Sequence, residues 1–169
     1  VRDILLSLAR EKLFQPKWTE KINQEWSVHL KKNRPDIDSI AIKNLLHQMM
    51  LAFPDAIISG YESRVDHLEL PDKEDRHVLA AAIRCNADVI VTFNLKDFPS
   101  EALKEYDIES VHPDDFIINL IALEQEKALL AFRQMVARLK HPPLSKADVL
   151  KALKKCGLKK AAKRIAKIN

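Results

Sequence analysis

The thirty residues from Leu70 to Pro99 (LPDKEDRHVLAAAIRCNADVIVTFNLKDFP) constrain this chain more than any other stretch. An acidic run, Asp72-Lys73-Glu74-Asp75, leads into a helix expected over about 76–85. Its residues Val78, Leu79, Ala80, Ala81, Ala82 and Ile83 are almost continuously apolar, so it must be buried on most sides. The segment Ala87–Thr92 is rich in Val and Ile without alternation, which reads as a central parallel strand. Thr92 and Asn94 stand at the end of that strand, with Asp97 just beyond. Such folds place their sites off the carboxyl ends of parallel strands. Oxygen ligands from separate elements would then meet at one sheet edge, a donor set suited to Mg²⁺ or Mn²⁺ and to phosphodiester hydrolysis.

The rest of the chain agrees with an α/β arrangement. Ile4, Leu5 and Leu8 mark one face of a first helix ending near Arg10, and Leu13–Pro16 reads as a short extended piece. Thr19 can cap a helix over 20–32 with Ile22, Trp26 and Leu30 inward; Asn33–Pro35 ends it. Asp36 or Asp38 caps the next helix, whose stripe is Ile40, Ala41, Leu45 and Met49. Ala56–Ile58 and Ile108–Val111 are short strand candidates, and Tyr61–Glu69 reads as loop with a short strand. Pro113 starts a helix expected to run through the 130s, with Asp114 and Asp115 at its positive end. Helices alternating with short strands argue α/β with a parallel sheet.

Beyond His141-Pro142-Pro143 the chain changes character. Residues 1–126 carry 15 Lys or Arg against 23 Asp or Glu, whereas residues 127–169 carry 13 against one, Asp148. An acidic body with a basic tail suits a polyanion or an acidic partner protein, or else is a solvated Lys-rich face. Ser145 with Asp148 resembles a capping box, and Cys156-Gly157 breaks one short helix from the next. Such a pair forms a helix-turn-helix or, more often, caps the core. The division expected is 1–140 as one domain and 141–169 as a basic helical extension.

With 169 residues, 47% of them hydrophobic, and two Gly, the chain can bury a real core. The distant pair Cys85 and Cys156 argues for a reducing compartment and against a disulfide scaffold. No apolar run is long enough to span a bilayer, and residues 1–10 lack signal-peptide features, so a cytoplasmic protein is expected. Glycines at positions 60 and 157 only exclude Gly-rich phosphate loops, and the six histidines show no HExxH spacing. Of the acidic run, Asp75 is the strongest ligand candidate and equally suits an N-cap, while Asp72 and Glu74 read as solvated. Asn94 and Asp97 are either ligands or a polar turn, Thr92 orients a ligand or packs its methyl group, and Glu25 borders an apolar stripe.

Asp72-Lys73-Glu74-Asp75-Arg76-His77-Val78-Leu79-Ala80-Ala81-Ala82, then Ala87-Asp88-Val89-Ile90-Val91-Thr92-Phe93-Asn94-Leu95-Lys96-Asp97-Phe98-Pro99, resemble the PIN-domain nucleases, most closely the bacterial toxin-like group related to VapC ribonucleases. Phe14-Gln15-Pro16, Trp18 and Glu25-Trp26 are similar to the family's early segment, and the resemblance covers roughly residues 2–118. It implies a PIN-like three-layer α/β fold with a short central parallel sheet and a C-terminal helical extension. It also implies an acidic site for one or two Mg²⁺ or Mn²⁺ ions. On this resemblance Glu25 falls on the family's helix-borne glutamate and Asp75 on the aspartate before the alanine-rich helix. Asn94 stands where many members have an aspartate, and Asp97 matches a nearby acidic position. Glu25, Asp75, Asn94 and Asp97 would hold the metal, with Thr92 orienting. The family begins with a strand ending in an aspartate, upstream of the part matched by Val1–Arg10, and that strand is expected to be missing. Either the sequence is truncated, or the protein lacks that carboxylate, or another chain or rearranged segment supplies it.

The implied activity is metal-dependent endoribonuclease, the toxin of a toxin–antitoxin-like pair. RNA is the substrate, with an antitoxin protein and a second copy as possible partners. The alternative is a non-catalytic PIN-like protein binding nucleic acid or an antitoxin-like partner. A third reading is a DNA-binding regulator using the Cys156-Gly157 turn.

Overall fold

The structure, a computed structural model, describes residues 1–140 and 142–168. His141, expected to open the extension, and Asn169 lie outside the described residues. In chain order the helices are α1 (Arg2–Arg10), α2 (Glu20–Asn33), α3 (Ser39–Ala52), α4 (Arg76–Arg84), α5 (Ser100–Leu103), α6 (Pro113–Leu123), α7 (Gln125–Arg138), α8 (Lys146–Lys155) and α9 (Lys159–Ile168). The strands are β1 (Val89–Val91) and β2 (Glu109–Val111). The Glu109 N–H donates to the Asp88 carbonyl and the Thr92 N–H to the Val111 carbonyl, each at 3.0 Å. Both partners ascend together, so the short sheet is parallel as expected. Among the described residues it has these two strands, so β1 has one neighbour and is not the central strand expected; accordingly Val89 and Val91 are only half-buried and Ile90 alone is buried.

Two compact units form, and neither follows chain order. One comprises the described residues of Val1–Gln15, Val91–Leu95 and Val111–Asn169; the other comprises Pro16–Ile90 and Lys96–Ser110.

In the first unit, Ile4 and Leu8 of α1 are buried in one core with Ile117 and Ile121 of α6 and Phe132 of α7. The single helix expected from Pro113 into the 130s is in fact two, broken at Glu124 (φ −142°, ψ 71°). No Pro or Gly marks the break, and the buried stripe runs on through it as Ile117, Ile121, Ala128, Phe132 and Met135. Periodicity therefore reads one helix. Packing decides otherwise, because the break lets α6 and α7 fold against each other around a shared core.

The extension caps this core. Ser145 and Asp148 form the expected capping box at α8, here with an aspartate at the third helical position. Leu158, Ala161, Ala162 and Ile165 bury the inner face of α9, leaving Lys159, Lys160, Lys163, Arg164 and Lys167 exposed. Between the helices, Gly157 has φ +90°, and a Cβ there would meet the Phe93 ring at 3.1 Å. Asp114 does more than favour its own helix end. It is 4% exposed, and its carboxylate accepts from the backbone N–H groups of Lys160 and Ala161, both at 2.8 Å, in the first turn of α9.

In the second unit, Thr19 caps α2 by accepting from the Ile22 N–H at 3.1 Å. Ile22, Trp26 and Leu30 are half-buried, and Asn23 is the buried residue of that helix. Asp38, rather than Asp36, caps α3. The inner face of α3 is Ile42 and Met49, with Leu45 half-buried, while Ile40 is 65% exposed and Ala41 also faces out. The predicted stripe is thus rotated: Ile40 and Ala41 lie toward the side that carries Ser39, Lys43, Asn44, His47 and Gln48, and the buried face is opposite it.

Two extended expectations are corrected and a third, Ala56–Ile58, shrinks to a single parallel bridge. Leu13 closes a turn after α1, its N–H on the Leu8 carbonyl, with Lys12 at φ 59°. Pro54–Ala56 is a 3₁₀ turn, after which Ile57 makes an isolated bridge to Trp18. The segment Glu62–His67 is also 3₁₀. Helix α4 is the centre of this unit's core: Leu79, Ala80, Ala81 and Ala82 are buried with Leu68, Leu70, Ile90, Phe98, Leu103 and Ile108.

Asp114→Ala leaves two N–H groups of α9 without their acceptor. Loss of charge-assisted bonds at a buried cap should cost about 2 kcal/mol. Denaturant unfolding checks this: the midpoint should fall, and an unchanged midpoint would show that the cap contributes nothing.

Candidate metal centre

The site grows from the mouth of α4. Residues Lys73–Asp75 form one 3₁₀ turn running into that helix. In such a turn side chains three apart eclipse, so Asp72 and Asp75 emerge on the same side. Asp72 closes the turn with one oxygen, Oδ1, accepting from the Glu74 N–H at 2.9 Å. Asp75 occupies the N-cap position of α4, yet its side chain makes no capping hydrogen bond. The N-cap role that its position suggested is therefore not what its carboxylate does.

Asp97 follows in the 3₁₀ turn Leu95–Asp97. One carboxylate oxygen from each of Asp72, Asp75 and Asp97 lies within 4.8 Å of the other two. Three carboxylates this close repel one another. The Asp75 carboxyl is accordingly held above the ordinary carboxylate range, first by partial burial, then by Asp72, Asp97 and Glu25 in turn, with Lys21 opposing. A divalent cation with oxygen preference would relieve that repulsion, so the residues present fit Mg²⁺ or Mn²⁺.

Glu25 of α2 lies in the same unit but is not one of the three. Its side chain is 51% exposed, and its Oε1 stands 3.1 Å from His77 Nε2 and 3.9 Å from Lys21 Nζ. His77, on the first turn of α4, is 2% exposed. Burial pushes its basicity below the ordinary histidine value, against the pull of Glu25. The contact is then a hydrogen bond from a neutral imidazole, with the proton on Nε2. His77 Nδ1 is buried and has no hydrogen-bond partner among the described residues.

Thr92 and Asn94 belong to the other unit. There the Thr92 Oγ1 accepts from the Asn94 backbone N–H at 3.0 Å, so the hydroxyl shapes the turn that ends β1. Of the residues singled out in the sequence, the structure brings Asp75 and Asp97 together, adds Asp72, and pairs Glu25 with His77. Asp72 was expected to be solvated. The signal that finds it is the three-residue spacing to Asp75, which requires knowing that the turn is 3₁₀. Spacing along the chain does not reveal His77, because its partner Glu25 comes from another helix.

Comparison with known proteins fits this geometry. The family model described as PIN domain matches residues 1–96, and the chain belongs to the PIN-domain family. Within it the chain is VapC-like: the model described as VapC50 C-terminal domain matches residues 113–167. A protein of Mycobacterium tuberculosis (strain ATCC 25618 / H37Rv), provisionally named as ribonuclease VapC50, is 48% identical over 80 residues, which are 47% of this chain and 47% of that protein. The matched part therefore spans about half the length of that relative. No solved structure matches.

The partial burial of Asp75 and the charges around it have a thermodynamic sign. A carboxyl whose folded-state pKa is raised favours the folded state at low pH, and that advantage is lost as pH rises from its unfolded to its folded pKa. Asp75→Asn should therefore raise the melting temperature of metal-free protein at neutral pH, by an amount that shrinks on acidification through the ordinary carboxylate range. Thermal scans in EDTA test it, and a lower melting temperature at neutral pH would contradict that sign.

Proposed function

We propose that this chain is a metal-dependent endoribonuclease, the toxin component of a toxin–antitoxin-like pair. The observation that carries the reading is the convergence of Asp72, Asp75 and Asp97 within 4.8 Å, on the segment that also carries the PIN resemblance. The name of the M. tuberculosis relative supports a ribonuclease.

Asp72, Asp75 and Asp97 would hold Mg²⁺ or Mn²⁺, with Glu25 contributing from α2. Asn94 and Thr92 are proposed on the family resemblance alone, Asn94 as an uncharged ligand and Thr92 as the residue that shapes its turn. When bound, the cation supplies electrostatic stabilisation of charge on phosphoryl oxygens and lowers the pKa of a water nucleophile. The carboxylates fix where that charge compensation stands and keep it there through the displacement. Arg76, Lys96 and the exposed cations of α8 and α9 would hold the RNA backbone, because phosphate contacts supply most sequence-independent affinity.

The division at 140 and 141 is proposed as functional, separating the PIN-like part from an extension that carries phosphate-binding charge. An antitoxin partner, a homodimer and a cytoplasmic location go with the same reading. Among the described residues no helix is long and apolar enough to cross a membrane.

A second reading, a non-catalytic relative binding nucleic acid or an antitoxin-like partner, is favoured by Asn94, which is neutral where many members carry an aspartate. Cleavage of a mixed structured RNA in Mn²⁺ against EDTA separates the two. The parent should cleave only with Mn²⁺, and Asp75→Asn should fall to the EDTA background while remaining folded. Full activity in Asp75→Asn would remove Asp75 from the site. Mn²⁺ binding without cleavage by the folded parent would establish the second reading.

A further inference from the structure

We propose that His77 is a positioning residue, whose Nε2–H holds the Glu25 carboxylate in a fixed orientation toward service of the Asp72–Asp75–Asp97 cluster. The inference rests on the metal-nuclease reading above and adds to it a residue with no contact to the metal.

Glu25 cannot hold itself in place. It is a long side chain, half exposed, on the surface of α2, and its neighbour Lys21 at 3.9 Å is an exposed partner of the kind that fixes little. His77 is the opposite case. Its ring is closed in at 2% exposure, and its backbone lies in the first turn of α4, two residues from Asp75. A hydrogen bond of 3.1 Å from this immobile ring gives Glu25 a reference point that moves with Asp75.

The rest of the ring's hydrogen-bonding capacity supports the same role. Nδ1 is buried without a partner among the described residues, so the bond to Glu25 is the polar interaction the ring makes there. An aliphatic side chain of similar size would fill the space without leaving a buried nitrogen unmatched. Packing alone therefore does not account for an imidazole at this position. Partners that orient metal-ligating groups from one bond further out commonly govern metal affinity by roughly ten-fold or more.

The test measures Mn²⁺ affinity by titration calorimetry and paramagnetic resonance on this chain and on His77→Leu, His77→Gln, His77→Asn and Glu25→Gln, with RNA cleavage alongside. His77→Leu should weaken Mn²⁺ binding by roughly ten-fold or more. His77→Gln, whose amide nitrogen reaches about as far as Nε2, should stay within about three-fold of the parent, because it keeps the donated bond. His77→Asn is too short to reach Glu25 and should match the leucine variant, which keeps the test decisive if leucine prevents folding. In the Glu25→Gln background, His77→Leu should add little further loss.

Parental Mn²⁺ affinity in folded His77→Leu or His77→Asn overturns the proposal. So does His77→Gln falling as far as the others, or full additivity with Glu25→Gln, since either marks a purely structural role. A folded parent that binds no Mn²⁺ overturns the metal reading itself, and this inference with it; an unaffected His77 variant of a parent that does bind Mn²⁺ overturns this inference alone.

Discussion

Helix α4 is enclosed on nearly every side, and that enclosure sets where the acidic groups of its unit stand. Leu79 and Ala80 have no exposed surface, and Ala81 and Ala82 are almost as deeply buried. Small side chains let neighbouring backbone approach closely, so a rotation of α4 would open voids or create clashes, either of which is costly in a close-packed interior. The helix therefore has one available pose. Its first turn is fixed with it, and so are Asp75 and His77. The preceding 3₁₀ turn then carries Asp72 to a defined place beside Asp75.

What the core fixes, the carboxylates pull apart. Asp72, Asp75 and Asp97 are held within 4.8 Å by backbone geometry that their own charges oppose. Partial burial first, and that opposition second, raise the affinity of Asp75 for its proton. Stored repulsion of this kind is tolerated where the surrounding structure over-determines the geometry, and on the proposed reading a cation would relieve it without rearrangement. Glu25 shows the contrasting arrangement, a half-exposed carboxylate outside the triad whose charge reaches Asp75 more weakly than those of Asp72 and Asp97, and which accepts one hydrogen bond from a buried ring.

The sequence disclosed those features in which local chemistry and packing agree. Thr19, Asp38 and Ser145 cap the helices that their types and spacing predict. The apolar run of α4 forms the buried helix expected, and the Val-Ile run forms a parallel strand, though a shorter one than expected and with one neighbour among the described residues. Failures arise where packing overrides a continuous pattern. The stripe from Ile117 to Met135 gives no local sign of the break at Glu124, because the residues on both sides face the same core. The face of α3 was misread for another reason, since its apolar residues are more numerous than its buried face can take and its five polar residues mark the outer side. At the site, Asp75 and Asp97 were legible from their places beside a buried helix and strand. Asp72 was not, because a carboxylate three residues before another is a solvated neighbour or a co-ligand according to the turn between them. His77 was hidden for a different reason: its partner comes from α2, more than fifty residues away, at a distance periodicity cannot see.

The basic extension shows how burial can organise charge. One face of α9 is consumed by Leu158, Ala161, Ala162 and Ile165, so its five cations are confined to the other. Of the two acidic residues that reach this segment from α6, one is spent inward: Asp114 is buried on the backbone N–H groups of Lys160 and Ala161. Its charge thereby stabilises the start of α9 and is withdrawn from the surface, while Asp115 pairs with Lys160 outside. Lys159, Lys163, Arg164 and Lys167 are left as a preordered positive face on a helix whose fold is already secured by the core. A polyanion meeting that face would not have to order the backbone first, which is the entropic cost that flexible basic tails incur on binding. The helix-turn-helix reading of α8 and α9 and the core-capping reading are thus not rivals in their physics: capping the core is what holds the charged face still.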